Sequence, residues 1–408
     1  MRLDIPKGTK DYFGKEAAIL DKIIHSFRRS FRLFGFEYIK TPTFEYASIL
    51  KNKYGEDSKL IYEFEDKNKR KLALRYDLTV PLARVVGTNN FPQPSKFYNI
   101  GSVFRYDRPQ KGRKREFIQA DIDIIGDDSI NSDAELIACM SNGFYNLNLS
   151  PTFRINNRAI MEKIFKNLNI QKSQFVTIFR SIDKLDKIGY TGVISELKKI
   201  GIKEKKLFDI IKIKGDFKSV NKKLENLNLG INLEEFDSLI KKLNEIKINE
   251  INVVFDLSLA RGLDYYTGNV WEIDSGKGLS IGGGGRYNNL IKGISNKDIT
   301  GVGISVGITR IAEIIKLNPD FDKKIFVIDL NNEANSIIRE LRRNGIKTSY
   351  NLKSKNIKSS INYANKNNFE YVLIIGDEEI KSNNLSLKNI KTGKSEKIKI
   401  KDLISKFK

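Results

Sequence analysis

Two strand-like runs, residues 97–104 and 117–125, flank an eleven-residue linker, 105–115, in which six side chains are basic. The linker holds Pro109 and Gly112, so the pattern predicts two antiparallel strands joined by a long cationic loop. Successive side chains on a strand point to opposite faces, which puts Gln119, Asp121 and Asp123 on one face. A lone basic run is ordinarily a solvated surface. Set beside that polar face, it also reads as the rim of a substrate floor.

Composition narrows the chemistry such a floor could support. The 408 residues are enough for two or three domains, and a hydrophobic content of 40% is that of a globular protein. A formal net charge of +22 favours a polyanionic partner, although the joint richness in Lys, Asn and Ile is also what an AT-biased genome produces. The single cysteine, Cys139, falls in an apolar helical stretch, which predicts a small buried hydrophobe and a reducing compartment. The single histidine, His25, sits in a helical pattern beside Ile24 and reads as structural. Cys/His zinc sites, Ser-His-Asp triads and Cys-His nucleophiles are thereby excluded. Chemistry has to run on arginine, lysine, carboxylates, tyrosine and backbone, a restriction that suits phosphoryl or nucleotidyl transfer. Residues 1–6 carry no apolar targeting stretch and no run approaches a membrane span, so a cytoplasmic protein is expected, with no membrane partner.

Along the chain, Leu20, Ile24, Phe27, Phe31 and Phe34 recur at helical spacing and predict a helix over 15–34 ended by Gly35. Apolar runs 72–75 and 80–86 surround the polar cluster Arg75-Tyr76-Asp77-Leu78-Thr79. From about 163 to 249 the pattern is of short helices rich in Lys and Glu, at 175–188, 193–199 and 233–243. Strands resume with 253–257 and 269–273, followed by Ser280-Ile281-Gly282-Gly283-Gly284-Gly285-Arg286-Tyr287. Four consecutive glycines either let a backbone approach closely or make a flexible hairpin, and no Walker sequence follows them. In 301–310 glycines recur every second or third position before Arg310 opens a helix, which suits a planar group with a cation above it. After residue 320 strands at 325–330, 348–350 and 371–375 alternate with helices at 334–344 and 357–365. Residues 324–408 hold 18 basic and 9 acidic side chains. A basic α/β module suits an RNA-contacting appendage, and a merely charged surface fits equally.

Arg261-Gly262-Leu263-Asp264-Tyr265-Tyr266-Thr267-Gly268 places one cation, one carboxylate and two phenols between glycines. Packing alone does not call for that set, although a tight hairpin with half-buried tyrosines would accommodate it.

With these pieces placed, the chain resembles a class II aminoacyl-tRNA synthetase, specifically of the histidyl family, nearly end to end. Residues 33–45 resemble class II motif 1, Phe104-Arg105 through Arg115-Glu116-Phe117 resembles motif 2, and 301–310 resembles motif 3. Residues 261–268 and 280–287 look like the two signatures peculiar to the histidine enzymes. The resemblance implies an α+β fold: a class II catalytic domain over 1–320 with an antiparallel sheet flanked by helices, a helical insertion at about 165–248, and a C-terminal α/β anticodon-binding domain over 324–408. It implies ATP-dependent attachment of histidine to tRNA(His) through a histidyl-adenylate, with ATP used as its Mg2+ complex and no tightly bound cofactor, by a homodimer.

The roles it implies are specific. Arg105 holds the ATP α-phosphate, Phe117 stacks on adenine and Arg310 sits against adenine and the γ-phosphate. An arginine matching Arg261 takes much of the α-phosphate duty that a metal ion has in most of the class, so Arg261 and Arg105 carry catalysis. Asp77 and Thr79 bind the histidine ammonium, Arg113 and Gln119 its carboxylate, and Asp123 with Tyr265 reads the imidazole; Tyr266 lines or supports that pocket. No metal ligand is implied on protein side chains. Two positions depart from the family pattern: Asp107 stands where motif 2 usually has Glu, and Asn288 follows Tyr287 where Asp is usual. Residues 75–79 follow the subtype with Asp at the ammonium. Two rivals are a silent paralogue serving as a regulatory subunit in histidine biosynthesis, which typically lacks the Arg261 signature and the C-terminal domain, and a nucleic-acid-binding factor without catalysis, for which Arg105, Arg261 and Arg310 would have no purpose.

Overall fold

In a computed structural model of the chain the first helix spans Gly14–Leu33, and its buried positions Leu20, Ile23, Phe27 and Phe31 recur every three or four residues. Ser26 and Ser30 share that buried stripe. Their hydroxyls donate to the carbonyls of Gly143 (2.7 Å) and Cys139 (2.6 Å) in helix Ile130–Tyr145, so burial leaves neither unsatisfied. Cys139 is fully buried, as its apolar setting predicts, and burial pushes its thiol pKa up. His25 is exposed because the buried stripe passes through Ile23 and Ser26, so the structural role expected of it is not a packing role.

The structure describes residues 3–51, 53–110, 112–260, 265–276, 279–314, 316, 324–352 and 356–407. It divides into two units, Met1–Leu317 and Asn318–Lys408. In the first, β1 (Glu37–Tyr38) is followed by a three-stranded sheet of β2 (Phe44–Tyr46), β3 (Glu63–Glu65) and β4 (Lys71–Leu74). The apolar run 80–86 that follows is helical, within Thr79–Thr88. β5 (Ser95–Phe104) and β6 (Glu116–Ile125) form the expected antiparallel pair, with Phe97 opposite Asp123 and Gly101 opposite Gln119. With β7 (Thr152–Asn157), β8 (Lys214–Gly215), β9 (Asn252–Asp256), β10 (Asn269–Asp274), β11 (Ser280–Arg286) and β12 (Gly301–Gly307), they make a nine-stranded sheet ordered β1-β5-β6-β12-β11-β10-β7-β9-β8. Pairing is antiparallel except for β1 with β5 and β7 with β9. The glycine run therefore lies in a central strand rather than in a loose hairpin.

Helices Gly14–Leu33 and Ile130–Tyr145 contribute to the core beside this sheet, with Phe27, Phe144, Phe153 and Trp271 fully buried. Each such side chain stabilises the fold by about 1.5–3 kcal/mol. The region from Arg158 to Ile246 is helical apart from the short edge strand β8. The helix expected at 175–188 is two helices, Phe175–Asp183 and Leu185–Lys199, and the second kinks at Gly189, whose φ of +67° suits glycine.

In the second unit β13 (Ile325–Asp329), β14 (Thr348–Tyr350), β15 (Tyr371–Ile375), β16 (Leu385–Asn389) and β17 (Ser395–Ile398) are ordered β14-β13-β15-β16-β17. Ile325 and Val327 pack into one cluster with Leu373 and Leu403, while Phe326 and Ile328 pack into another with Ala364 and Val372. A central strand buried on both faces reads as an unbroken apolar run, and 325–328 does. The α+β character expected of the chain is borne out. No described helix is long and apolar enough to cross a membrane.

Candidate active site

The register of β6, β12 and β11 builds a cleft. Asp123, Asp121 and Gln119 lie opposite Gly303, Ser305 and Gly307 of β12, and Gly285 of β11 lies opposite Gly303. Asp77, Thr79, Arg105, Gln119, Asp121, Asp123, Tyr265, Tyr266, Tyr287 and Ser305 converge on this cleft, with Gly283, Gly284, Gly303 and Ile304 between them. A Cβ added at Gly303 would fall 2.0 Å from Asp123 Oδ1, far inside contact distance. The absence of a side chain there is what lets Asp123 occupy the floor.

Each acidic group is held by neutral donors. Asp77 Oδ1 accepts from Tyr54 Oη (3.0 Å) and from the Val80 N–H (3.0 Å) at the start of helix Thr79–Thr88; its Oδ2 accepts from Tyr265 Oη (3.5 Å). Asp123 Oδ1 accepts from Tyr287 Oη at 2.6 Å, and Asp121 accepts from Ser305 Oγ. Burial raises the pKa of all three: Asp77 upward, Asp121 well upward with Asp123 adding repulsion, and Asp123 to about 7. Three desolvated carboxylates in one cleft attract a compact cation.

The basic side of the cleft comes from the β5–β6 loop and from helix Ile308–Ile314. Arg105 Nε donates to the Tyr76 carbonyl (3.1 Å), and its guanidinium lies 4.2 Å from the Tyr76 ring centroid and 5.2 Å from that of Phe117. Gly112 N donates to Glu313 Oε2 (3.1 Å) and Lys114 pairs with Glu313 Oε1 (2.6 Å), which ties the loop to the helix carrying Arg310. The Arg310 pKa is lowered, first by burial and then by Arg113 and Arg105, and its Nε is buried without a protein partner among the described residues. Arg310, repelled by both Arg113 and Arg105, completes a cluster of three guanidiniums suited to a polyanion.

Of the residues singled out from sequence, Asp77, Thr79, Arg105, Gln119, Asp123, Tyr265 and Tyr266 line the cleft. Phe117, Arg113 and Arg310 do not line it: Phe117 and Arg310 neighbour Arg105, while Arg113 lies near Arg310 and pairs with Asp107 at 3.4 Å. Arg261 lies outside the described residues. Four contributors have no role in the sequence reading: Asp121, Tyr287, Tyr54 and Ser305, the last a small polar residue within the glycine-rich run 301–310. Asp121 was legible from its alternation with Gln119 and Asp123, and Tyr287 from its place after the glycine run, whereas Tyr54 carries no local signal. Among the described residues no group of three His, Cys, Asp or Glu side chains could hold a metal ion.

A family model described as Histidyl-tRNA synthetase matches residues 8–311, and one described as Anticodon binding domain matches 314–408. The chain belongs to the histidyl-tRNA synthetase family. It is 37% identical over 419 residues to histidine–tRNA ligase 1 of Bacillus cereus, with 97% of each chain covered. Among solved structures it is similar to the histidyl-tRNA synthetase of a Nostoc species at a TM-score of 0.87 and 29% identity, covering 100% of this chain and 99% of that one. It also superimposes on a Bacillus halodurans protein described as an ATP phosphoribosyltransferase regulatory subunit/histidyl-tRNA synthetase, at a TM-score of 0.75 over 92% of this chain and 98% of that one. At 22% identity the latter likeness speaks to the fold alone. The fold is that of the class II histidyl-tRNA synthetases. Where the family pattern departs at Asp107, that carboxylate still meets Arg113, and its backbone carbonyl accepts from Arg115 Nε at 3.3 Å.

Proposed function

We propose that the cleft activates histidine with ATP as its Mg2+ complex, and that the chain then transfers the histidyl group to the terminal ribose of tRNA(His). One observation carries this reading: a pocket with three buried carboxylates adjoins a cluster of three arginines. Histidine brings cationic character to the first and the ATP triphosphate brings negative charge to the second.

In the proposed first step a histidine carboxylate oxygen attacks the α-phosphorus, the bond to the bridging oxygen breaks, and pyrophosphate leaves. The carboxylate is already ionised at neutral pH, so no protein base is needed. In the second step the ribose hydroxyl attacks the acyl carbon and AMP leaves. Asp77 and Thr79 hold the ammonium, Arg113 and Gln119 the carboxylate, and Asp123 and Tyr265 the imidazole, with Tyr266 behind them. Arg105 and Arg261 neutralise charge at the α-phosphate, Phe117 stacks on adenine, and Arg310 meets adenine and the γ-phosphate. Mg2+ would enter as part of the ATP complex and would supply charge neutralisation at the phosphates, with no described protein side chain assigned to hold it. The catalytic domain is proposed to extend to about residue 320, with the helical insertion within it, and the anticodon-binding domain to cover 324–408. The active form is proposed to be a cytoplasmic homodimer. Exposed Leu33, Tyr38 and Phe44, in or beside the motif 1-like segment, support a second copy covering that surface.

The reading makes a pH prediction. Asp123 accepts from the imidazole N–H most strongly when ionised, and burial raises its free-state pKa to about 7. The kcat/KM for histidine in ATP–pyrophosphate exchange is therefore expected to fall as pH drops below about 7, while kcat/KM for ATP at saturating histidine is less affected. Asp123→Asn is expected to lower the plateau and remove that limb. An Asn variant with the wild-type profile and rate would overturn the assignment of Asp123.

A further inference from the structure

Gln119, Ser305 and Asp121 form a short hydrogen-bonded chain in the lining of the cleft. Gln119 Nε2 lies 2.9 Å from Ser305 Oγ, which donates to Asp121 Oδ1. The strand register makes this possible, because Ser305 sits directly opposite Asp121 and Gln119 is the same-face neighbour two residues away. Gln119 Oε1 is buried and has no protein partner among the described residues, although the residue lines the cleft. An unpaired buried acceptor carries a desolvation cost of its own and is relieved by a ligand that donates to it.

We infer that Ser305 and Asp121 are positioning residues that fix the amide of Gln119 so that its Oε1 faces the histidine ammonium. This rests on the histidine-activating reading of the cleft and deepens it. Ser305 Oγ donates its proton to Asp121 Oδ1, and Oγ is left to accept from Gln119 Nε2. That polarity selects one of the two amide orientations and turns Oε1 toward the cleft. The second Nε2 hydrogen stays available to the substrate carboxylate. A donor in place of the Asp121 carboxylate would reverse the chain: Ser305 would then donate to Gln119 Oε1 and withdraw it from the substrate. Asp77, Thr79 and Gln119 Oε1 together give the three hydrogens of an ammonium three acceptors, a number a neutral or anionic group at that place could not use.

The test separates ammonium from carboxylate recognition by inhibition of histidine-dependent exchange. Histidinol keeps the ammonium and imidazole and lacks the carboxylate; imidazolepropionate keeps the imidazole and carboxylate and lacks the ammonium. In Ser305→Ala and Asp121→Asn the Ki of histidinol is expected to rise roughly ten- to hundredfold, the scale of a hydrogen bond to a charged group. The Ki of imidazolepropionate and the KM for ATP should stay within about threefold of wild type, and Ser305→Thr, which keeps the hydroxyl, should restore histidinol binding. Histidinol inhibition within about threefold of wild type in both variants overturns the inference. So does a parallel weakening of all three ligands, which would mean a structural role alone. A wild-type protein without histidine-dependent exchange would instead defeat the functional reading itself.

Discussion

Replacing Arg105 with alanine is expected to lower histidine-dependent ATP–pyrophosphate exchange by roughly 10²–10³-fold, the scale for losing one preorganised donor to charge that develops in a transition state. Arg105 is fixed before substrate arrives: its Nε donates to the Tyr76 carbonyl, and its guanidinium lies against the rings of Tyr76 and Phe117. Holding the cation in place removes the reorganisation that a mobile side chain would undergo at the moment of bond exchange. Arg105→Lys keeps the charge and loses the planar stacking and the fork of donors, so it is expected to recover only part of the rate. Arg261→Ala is expected to fall in the same 10²–10³-fold range. Its place opposite the α-phosphate rests on the family resemblance of residues 261–268. A change within about threefold for either alanine variant, measured as kcat/KM, would remove that residue from the catalytic role.

Deleting residues 324–408 is expected to separate the two half-reactions. The described part of that region folds around its own two apolar clusters, and the cleft residues all belong to the other unit. Its 18 basic residues against 9 acidic ones form a cationic module that matches an Anticodon binding domain model. Exchange should persist within about tenfold, whereas kcat/KM for charging tRNA should fall roughly a hundredfold, about 2.7 kcal/mol of binding and well within what one nucleic-acid-binding module contributes. Raising the salt concentration should weaken charging by the intact chain more steeply than by the truncated one, since fewer phosphate contacts remain to be screened. Equal loss of both activities would show that the C-terminal unit supports the catalytic one structurally.

Much of this architecture is legible in the sequence where one periodicity dominates. Leu20, Phe27 and Phe31 mark the first helix, and the alternation of Gln119, Asp121 and Asp123 marks the face of β6 that became the floor. Legibility fails where partners are remote in the chain. Nothing near residue 54 announces that Tyr54 will meet Asp77, and nothing in 301–307 reveals the register that sets Ser305 on Asp121 and leaves room at Gly303 for Asp123. The strands β16 and β17 carry little sequence signal, because β17 is exposed and polar and β16 shows only the two inward residues Leu385 and Leu387. The run 80–86 is apolar without a period, and the helix containing it begins where Asp77, three residues back, accepts the N–H of Val80. Arg113 shows the converse limit: its type and position suit a substrate carboxylate, while in the free protein its partner is Asp107.

Selection of histidine for reaction with ATP is proposed to come from the acidic pocket beside the arginine cluster. The most direct measurement is exchange of labelled pyrophosphate into ATP by the purified full chain, with Mg2+ present and each of the twenty amino acids supplied in turn. Exchange with histidine, at least about 10³-fold above every other amino acid in kcat/KM, is the predicted result, because a site built to bond both imidazole nitrogens leaves buried polar groups unpaired when any other side chain enters. Exchange with a different amino acid in preference to histidine, or with none, would contradict it.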